Sequence, residues 1–163
     1  MNHLTHTKRL RLPISLLTFL LFSCASQAAM QVTMQPFSTD GCSLFPDRSL
    51  VNQADWCSCC MAHDFAYWRG GPSEARLKAD QELKACVLKA SGDSALAELM
   101  FAGVRAGGGP YFYTPYRWGY GWPYGHAYKQ LTAEEDALAS SLESEYRAKN
   151  TPLVCPSKLP ASK

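Results

Sequence analysis

The run Cys59-Cys60-Met61-Ala62-His63-Asp64 sets an imidazole and a carboxylate directly after two thiols. On a helix, Cys59, His63 and Tyr67 are four residues apart and form one stripe, and Cys60 and Asp64 form the stripe beside it. Cysteines therefore anchor the face that presents the imidazole. An unperturbed imidazole titrates near a pH of about 6.5, so such a group can take up and return a proton at neutral pH. Further along, Asp80 shares a helix face with Leu83 and Val87. Leaving a carboxylate unpaired on an apolar face costs on the order of several kcal/mol. His63 and Tyr67, on an antiparallel neighbour, are donors of the right type. A competing chemistry uses Cys57, Cys59, Cys60 and His63 as soft zinc ligands, although their spacing lacks paired Cys-x-x-Cys knuckles.

Positioning these groups requires two helices. The first is expected to start around Asn52 to Asp55 and to run to Arg69, where Gly70-Gly71-Pro72 stops it. Ser73 is expected to cap a second helix reaching about Ala90, with Leu77, Leu83, Val87 and Leu88 as its apolar positions. A third is expected from Ser94 to about Arg105, ended by Gly107-Gly108-Gly109. Thr132 and Glu135 make a capping box for a last helix reaching about Ala148, with Leu138 and Leu142 on its apolar side. Residues 29–51 read as an irregular arm ending in a tight loop, Thr39 to Asp47. Residues 110–128 are too rich in Gly and Pro for a regular helix. Their tryptophans and tyrosines suit either a membrane-docking surface or a loop folded over the helices. His126, in that segment, reads as a polar loop residue.

The start of the chain has a different character. Met1 to Pro13 carries Lys8, Arg9 and Arg11 without an acid, Ile14 to Phe22 is apolar, and Ser23 to Ala28 is small and polar. That order predicts a secretory signal over residues 1–28, its apolar run being too short to span a bilayer. A lipoprotein signal ending before Cys24 is the competing reading, and would give an outer-membrane lipoprotein. The remainder, 29–163, is long enough for one domain with a modest core. Without the signal, 13 Lys plus Arg stand against 14 Asp plus Glu, a net charge of about −1. No basic run remains to favour nucleic acid. Six of the seven cysteines lie beyond the signal, and in an exported domain they are most economically three disulfides. The expected location is therefore secreted or periplasmic.

Cys-Cys-x-x-His-Asp followed by Tyr67 resembles the phospholipase A2 superfamily. Ser38-Thr39-Asp40-Gly41-Cys42, with Pro46-Asp47, looks most like its bacterial and fungal secreted branch. The resemblance covers roughly residues 38–88 and implies a mainly α, disulfide-crosslinked domain in which two antiparallel helices carry the site. It implies that His63 activates water, that Asp80 orients His63 and that Tyr67 supports Asp80. It further implies that Asp64, Asp40 and the Gly41 carbonyl hold calcium, and that Cys42 pairs with Cys60. The glycine-rich calcium loop of the pancreatic and venom branch is absent. Pairing among Cys57, Cys59, Cys86 and Cys155 stays open.

The residue types fit that chemistry independently. A base for water, a carboxylate on the far ring nitrogen and hard oxygen ligands suffice to hydrolyse an ester without a serine or cysteine nucleophile. The expected reaction is calcium-dependent hydrolysis of a glycerophospholipid acyl ester, the sn-2 ester preferred, at a membrane or micelle surface. A catalytically silent lipid- or protein-binding module on the same fold is the alternative.

Overall fold

The structure, a computed structural model, describes residues 32–156. The expected signal segment, with Cys24, lies outside the described residues. Four helices follow in order: α1 (Cys57–Arg69), α2 (Ser73–Ser91), α3 (Ser94–Gly107) and α4 (Ala133–Lys149). Among the described residues there is no strand, only one isolated bridge between Arg48 and Asp55. The result is a small, mainly α, disulfide-rich domain.

α1 starts later than the sequence suggests because the polar residues before it close turns of their own. Ser49 Oγ accepts from the backbone N–H groups of Val51 and Asn52, Asn52 Oδ1 accepts from Ala54, and Asp55 Oδ1 accepts from Cys57. α2 also departs from expectation at its start: Pro72 is the N-cap, without a side-chain cap, and Ser73 is the first helical residue. Its inward face is Arg76, Ala79, Asp80, Leu83 and Val87. Leu77 and Leu88, expected inside, sit on the flank of that stripe and are each 41% exposed. α3 is capped by Asp93, whose Oδ1 accepts from Leu96. α4 begins with the expected capping box, Thr132 Oγ1 accepting from Glu135 N and Glu135 Oε2 from Thr132 N.

α1 is the central element, apolar or bonded on nearly every side. Towards α2 and α3, Cys59 and Cys60 join Trp56, Leu83, Val87, Ala97 and Met100. On its other side, Met61, Phe65 and Trp68 pack with Phe37, Trp122 and Ala139 of α4. Leu138 and Leu142 are partly buried at that cluster's edge. Pairings between the first two helices run in opposite senses, Cys59 with Cys86, His63 with Asp80 and Tyr67 with Arg76, so α1 and α2 are antiparallel.

Three disulfides radiate from the start of α1: Cys42–Cys60, Cys57–Cys155 and Cys59–Cys86. The first is the pairing implied by the family resemblance. All three thiols of the zinc alternative are thereby consumed, and that reading is excluded.

The Gly- and Pro-rich segment divides into two parts. Its second half folds over the helices: Trp118 and Trp122 are buried, and their indole N–H groups donate to the carbonyls of Gly71 (2.7 Å) and Arg69 (2.6 Å). Gly119 N and Gly121 N donate to Tyr67 and Trp68 carbonyls. The strap therefore satisfies carbonyls that the end of α1 leaves without helical partners. Approach is close enough that a Cβ on Gly70 would lie 2.9 Å from Gly119 Cα, and Gly70 has φ +72°. The first half instead exposes Tyr111, Phe112 and Tyr113. No helix among the described residues is long and apolar enough to cross a membrane.

Candidate active site

α1 presents His63 towards α2, where Asp80 is fully buried. His63 Nε2 lies 2.8 Å from Asp80 Oδ1, and the Tyr67 hydroxyl donates to the same oxygen at 2.7 Å. The other oxygen is occupied from α3: Arg105 Nη1 donates to Asp80 Oδ2 at 2.7 Å. Arg76, one turn before Asp80, donates from Nε to the Tyr67 hydroxyl at 3.0 Å. Burial by itself would raise the Asp80 pKa. Hydrogen bonds from His63, Arg105 and Tyr67 outweigh it and hold the carboxyl below its ordinary value. The Tyr67 phenol moves the opposite way: burial, then the charge of Asp80, push its pKa up, so it remains a donor.

His63 and Tyr67 line a cavity of about 150 Å³ whose wall is largely apolar, with Leu44 and Phe45 from the loop before α1, Leu83 from α2 and Met100 and Val104 from α3. Gly41 and Asp64 stand in the same wall. Asp64 also faces an adjoining depression with Thr39, Asp40 and Ser43.

The loop carrying Asp40 and Gly41 is held at several points. Cys42 ties it to α1, and Asp47, itself fully buried, accepts from Cys42 N through Oδ1 at 2.8 Å. Gly41 has φ +81°, and a Cβ there would collide with the Asp47 carboxylate, so glycine is required by both backbone and space. Thr39 Oγ1 donates to Asp64 Oδ2 at 2.6 Å and accepts from Gly41 N at 3.2 Å, linking the loop to the helix. Ser43 Oγ donates to Asp40 Oδ1 at 2.9 Å.

Every sequence-predicted residue thus falls in one region: His63, Tyr67, Gly41 and Asp64 line the cavity, Asp80 is buried behind His63, and Asp40 lines the adjoining depression with Asp64. Among the described residues, no three or more His, Cys, Asp or Glu side chains gather to hold a metal. Asp40 and Asp64 are two, and the third candidate ligand is a main-chain oxygen. This all-oxygen set fits a hard divalent cation such as calcium, whose remaining positions water or substrate can fill. His126 stands apart: it stacks on Trp122 and meets Glu135 at 3.1 Å.

Three contributors escaped the sequence reading. Arg76 had a usable signal, since it stands four residues before a carboxylate expected inside. Arg105 had none, because its reach to Asp80 depends on how α3 packs. Asp47 stands in the loop motif, but its role as the clamp on Cys42 N depends on the fold. Compared with known proteins, the chain matches no family model, no curated protein and no solved structure.

Proposed function

We propose that this protein hydrolyses an acyl ester of a glycerophospholipid, the sn-2 ester preferred, with His63 as the base for water. The observation that carries the reading is the buried Asp80 carboxylate 2.8 Å from Nε2 of His63, which itself lines a largely apolar cavity. With Nε2–H given to Asp80, Nδ1 keeps the lone pair that a base needs. Water attacks the ester carbonyl carbon while Nδ1 takes its proton, and Asp80 stabilises the imidazolium that forms. The same proton then passes to the leaving glycerol oxygen as the ester C–O bond breaks. The products are a fatty acid and a lysophospholipid. Tyr67 keeps Oδ1 of Asp80 directed at the ring.

Calcium, held by Asp40, Asp64 and the Gly41 carbonyl, would supply Lewis-acid polarisation of the ester carbonyl. Apolar wall residues suit an acyl chain. Leu44 on the cavity wall and Tyr111, Phe112 and Tyr113 of the first half of the aromatic segment are exposed and offer apolar surface to a membrane or micelle. Three disulfides and a signal-like leader favour a secreted or periplasmic location. A lipoprotein anchored at Cys24 is the variant of that location to be tested by mass.

Two measurements test the reading. Fatty acid should be released catalytically from phosphatidylcholine vesicles. Vesicle binding without turnover would instead favour a silent binding module. Calcium should raise Tm in the native protein and not in Asp64→Asn; an equal rise in both removes Asp64 from the ligand set.

A further inference from the structure

Asp80 divides its oxygens between two kinds of partner. Oδ1 faces the His63 ring and the Tyr67 hydroxyl, and Oδ2 faces Arg105 at 2.7 Å. Arg76 lies further from Oδ2, at 3.8 Å, and spends its donors elsewhere: on Tyr67 at 3.0 Å, on the Tyr128 hydroxyl at 2.6 Å and on the carbonyls of Val104 and Arg105 at 2.7 and 2.9 Å. Arg76 therefore fixes two things. A phenol has one hydrogen, and because Arg76 donates to its oxygen, that hydrogen is left for Asp80. By gripping the last carbonyls of α3, Arg76 also fixes the backbone from which Arg105 reaches.

Turning a carboxylate about its Cβ–Cγ bond moves both oxygens together, so each hydrogen bond to either oxygen resists the turn. His63 and Tyr67 share one oxygen, Oδ1, and restrain the turn from that side. Arg105 holds the other through a charge-assisted hydrogen bond, the stronger class. Its side chain is 35% exposed, against 5% for Arg76, so it reaches Asp80 from the solvent side of an otherwise closed cluster.

We propose that Arg105 is a positioning residue for the candidate hydrolytic site: it holds Asp80 Oδ2 so that Oδ1 stays turned to His63 and the ring keeps its proton on Nε2. This rests on the hydrolase reading for its kinetic consequence only. Arg105 acts through Asp80 and has no part in binding lipid.

The test compares Arg105→Gln and Arg105→Lys with the native full chain in two assays. In lipid hydrolysis, Arg105→Gln should lower kcat about tenfold with KM within about twofold, and Arg105→Lys, which keeps a charged donor, should stay within about threefold of native kcat. In lipid-free NMR, the His63 Nε2 proton should exchange with water about tenfold faster in Arg105→Gln and at a near-native rate in Arg105→Lys. The proposal is overturned if Arg105→Gln leaves either kcat or that exchange rate unchanged, if KM rises in place of a fall in kcat, or if lysine is as impaired as glutamine. A native protein that never turns over lipid sinks the hydrolase reading alone, and proton exchange then decides the role of Arg105.

Discussion

Cys59 and Cys86 are bonded across α1 and α2 one helical turn from His63, so the helix that carries the imidazole is covalently fixed to the helix that carries its carboxylate. The 2.8 Å contact between His63 and Asp80 therefore depends on more than side-chain packing. Removing the bond as Cys59→Ala with Cys86→Ala should lower unfolding free energy by about 3 kcal/mol, chiefly by releasing the unfolded chain. Denaturant unfolding checks this, and the same variant should lose hydrolytic rate more than lipid binding.

Acid should weaken the start of α4. Glu135 is largely buried, which by itself would raise its pKa. The Thr132 backbone N–H, Lys129 and His126 outweigh burial and bring it down to about 2. A lowered folded pKa means stability that is present above the ordinary carboxylate range and is lost as pH falls towards about 2. Comparing Tm of native protein and Glu135→Gln between pH 5 and 2, roughly the window in which this carboxylate titrates, should show a flatter acid limb in the variant. Parallel curves would remove Glu135 from the acid response.

The two halves of the aromatic segment should behave oppositely. Trp118→Ala or Trp122→Ala empties a buried site and orphans a carbonyl at or just past the end of α1, so either should cost roughly 3–5 kcal/mol. Tyr113→Ala, 90% exposed, should leave stability within about 0.5 kcal/mol and weaken vesicle binding. Tryptophan fluorescence during unfolding and vesicle sedimentation separate the two effects.

Much of this architecture was legible in the chain. Helical spacing put Cys59, His63 and Tyr67 on one stripe, Gly70-Gly71-Pro72 ended α1, and Asp80 beside Leu83 and Val87 announced a buried carboxylate. Spacing does not resolve the edges of a stripe, which is why it places Leu77 and Leu88 inside although each is 41% exposed. Nor could local pattern separate Trp118 and Trp122 from Tyr111 and Tyr113, since all four are aromatics in one run rich in Gly and Pro. What divides them is long-range: indole N–H groups meet carbonyls some 50 residues earlier. Arg105 was invisible for the same reason, its partner lying on another helix.

The most direct test is release of fatty acid from phosphatidylcholine vesicles by native protein and His63→Ala, each with calcium and with excess chelator. The account predicts catalytic release by native protein with calcium, and a loss of at least about a hundredfold on removing either the metal or the imidazole. Turnover that persists in His63→Ala, or that is unchanged in chelator, would contradict it.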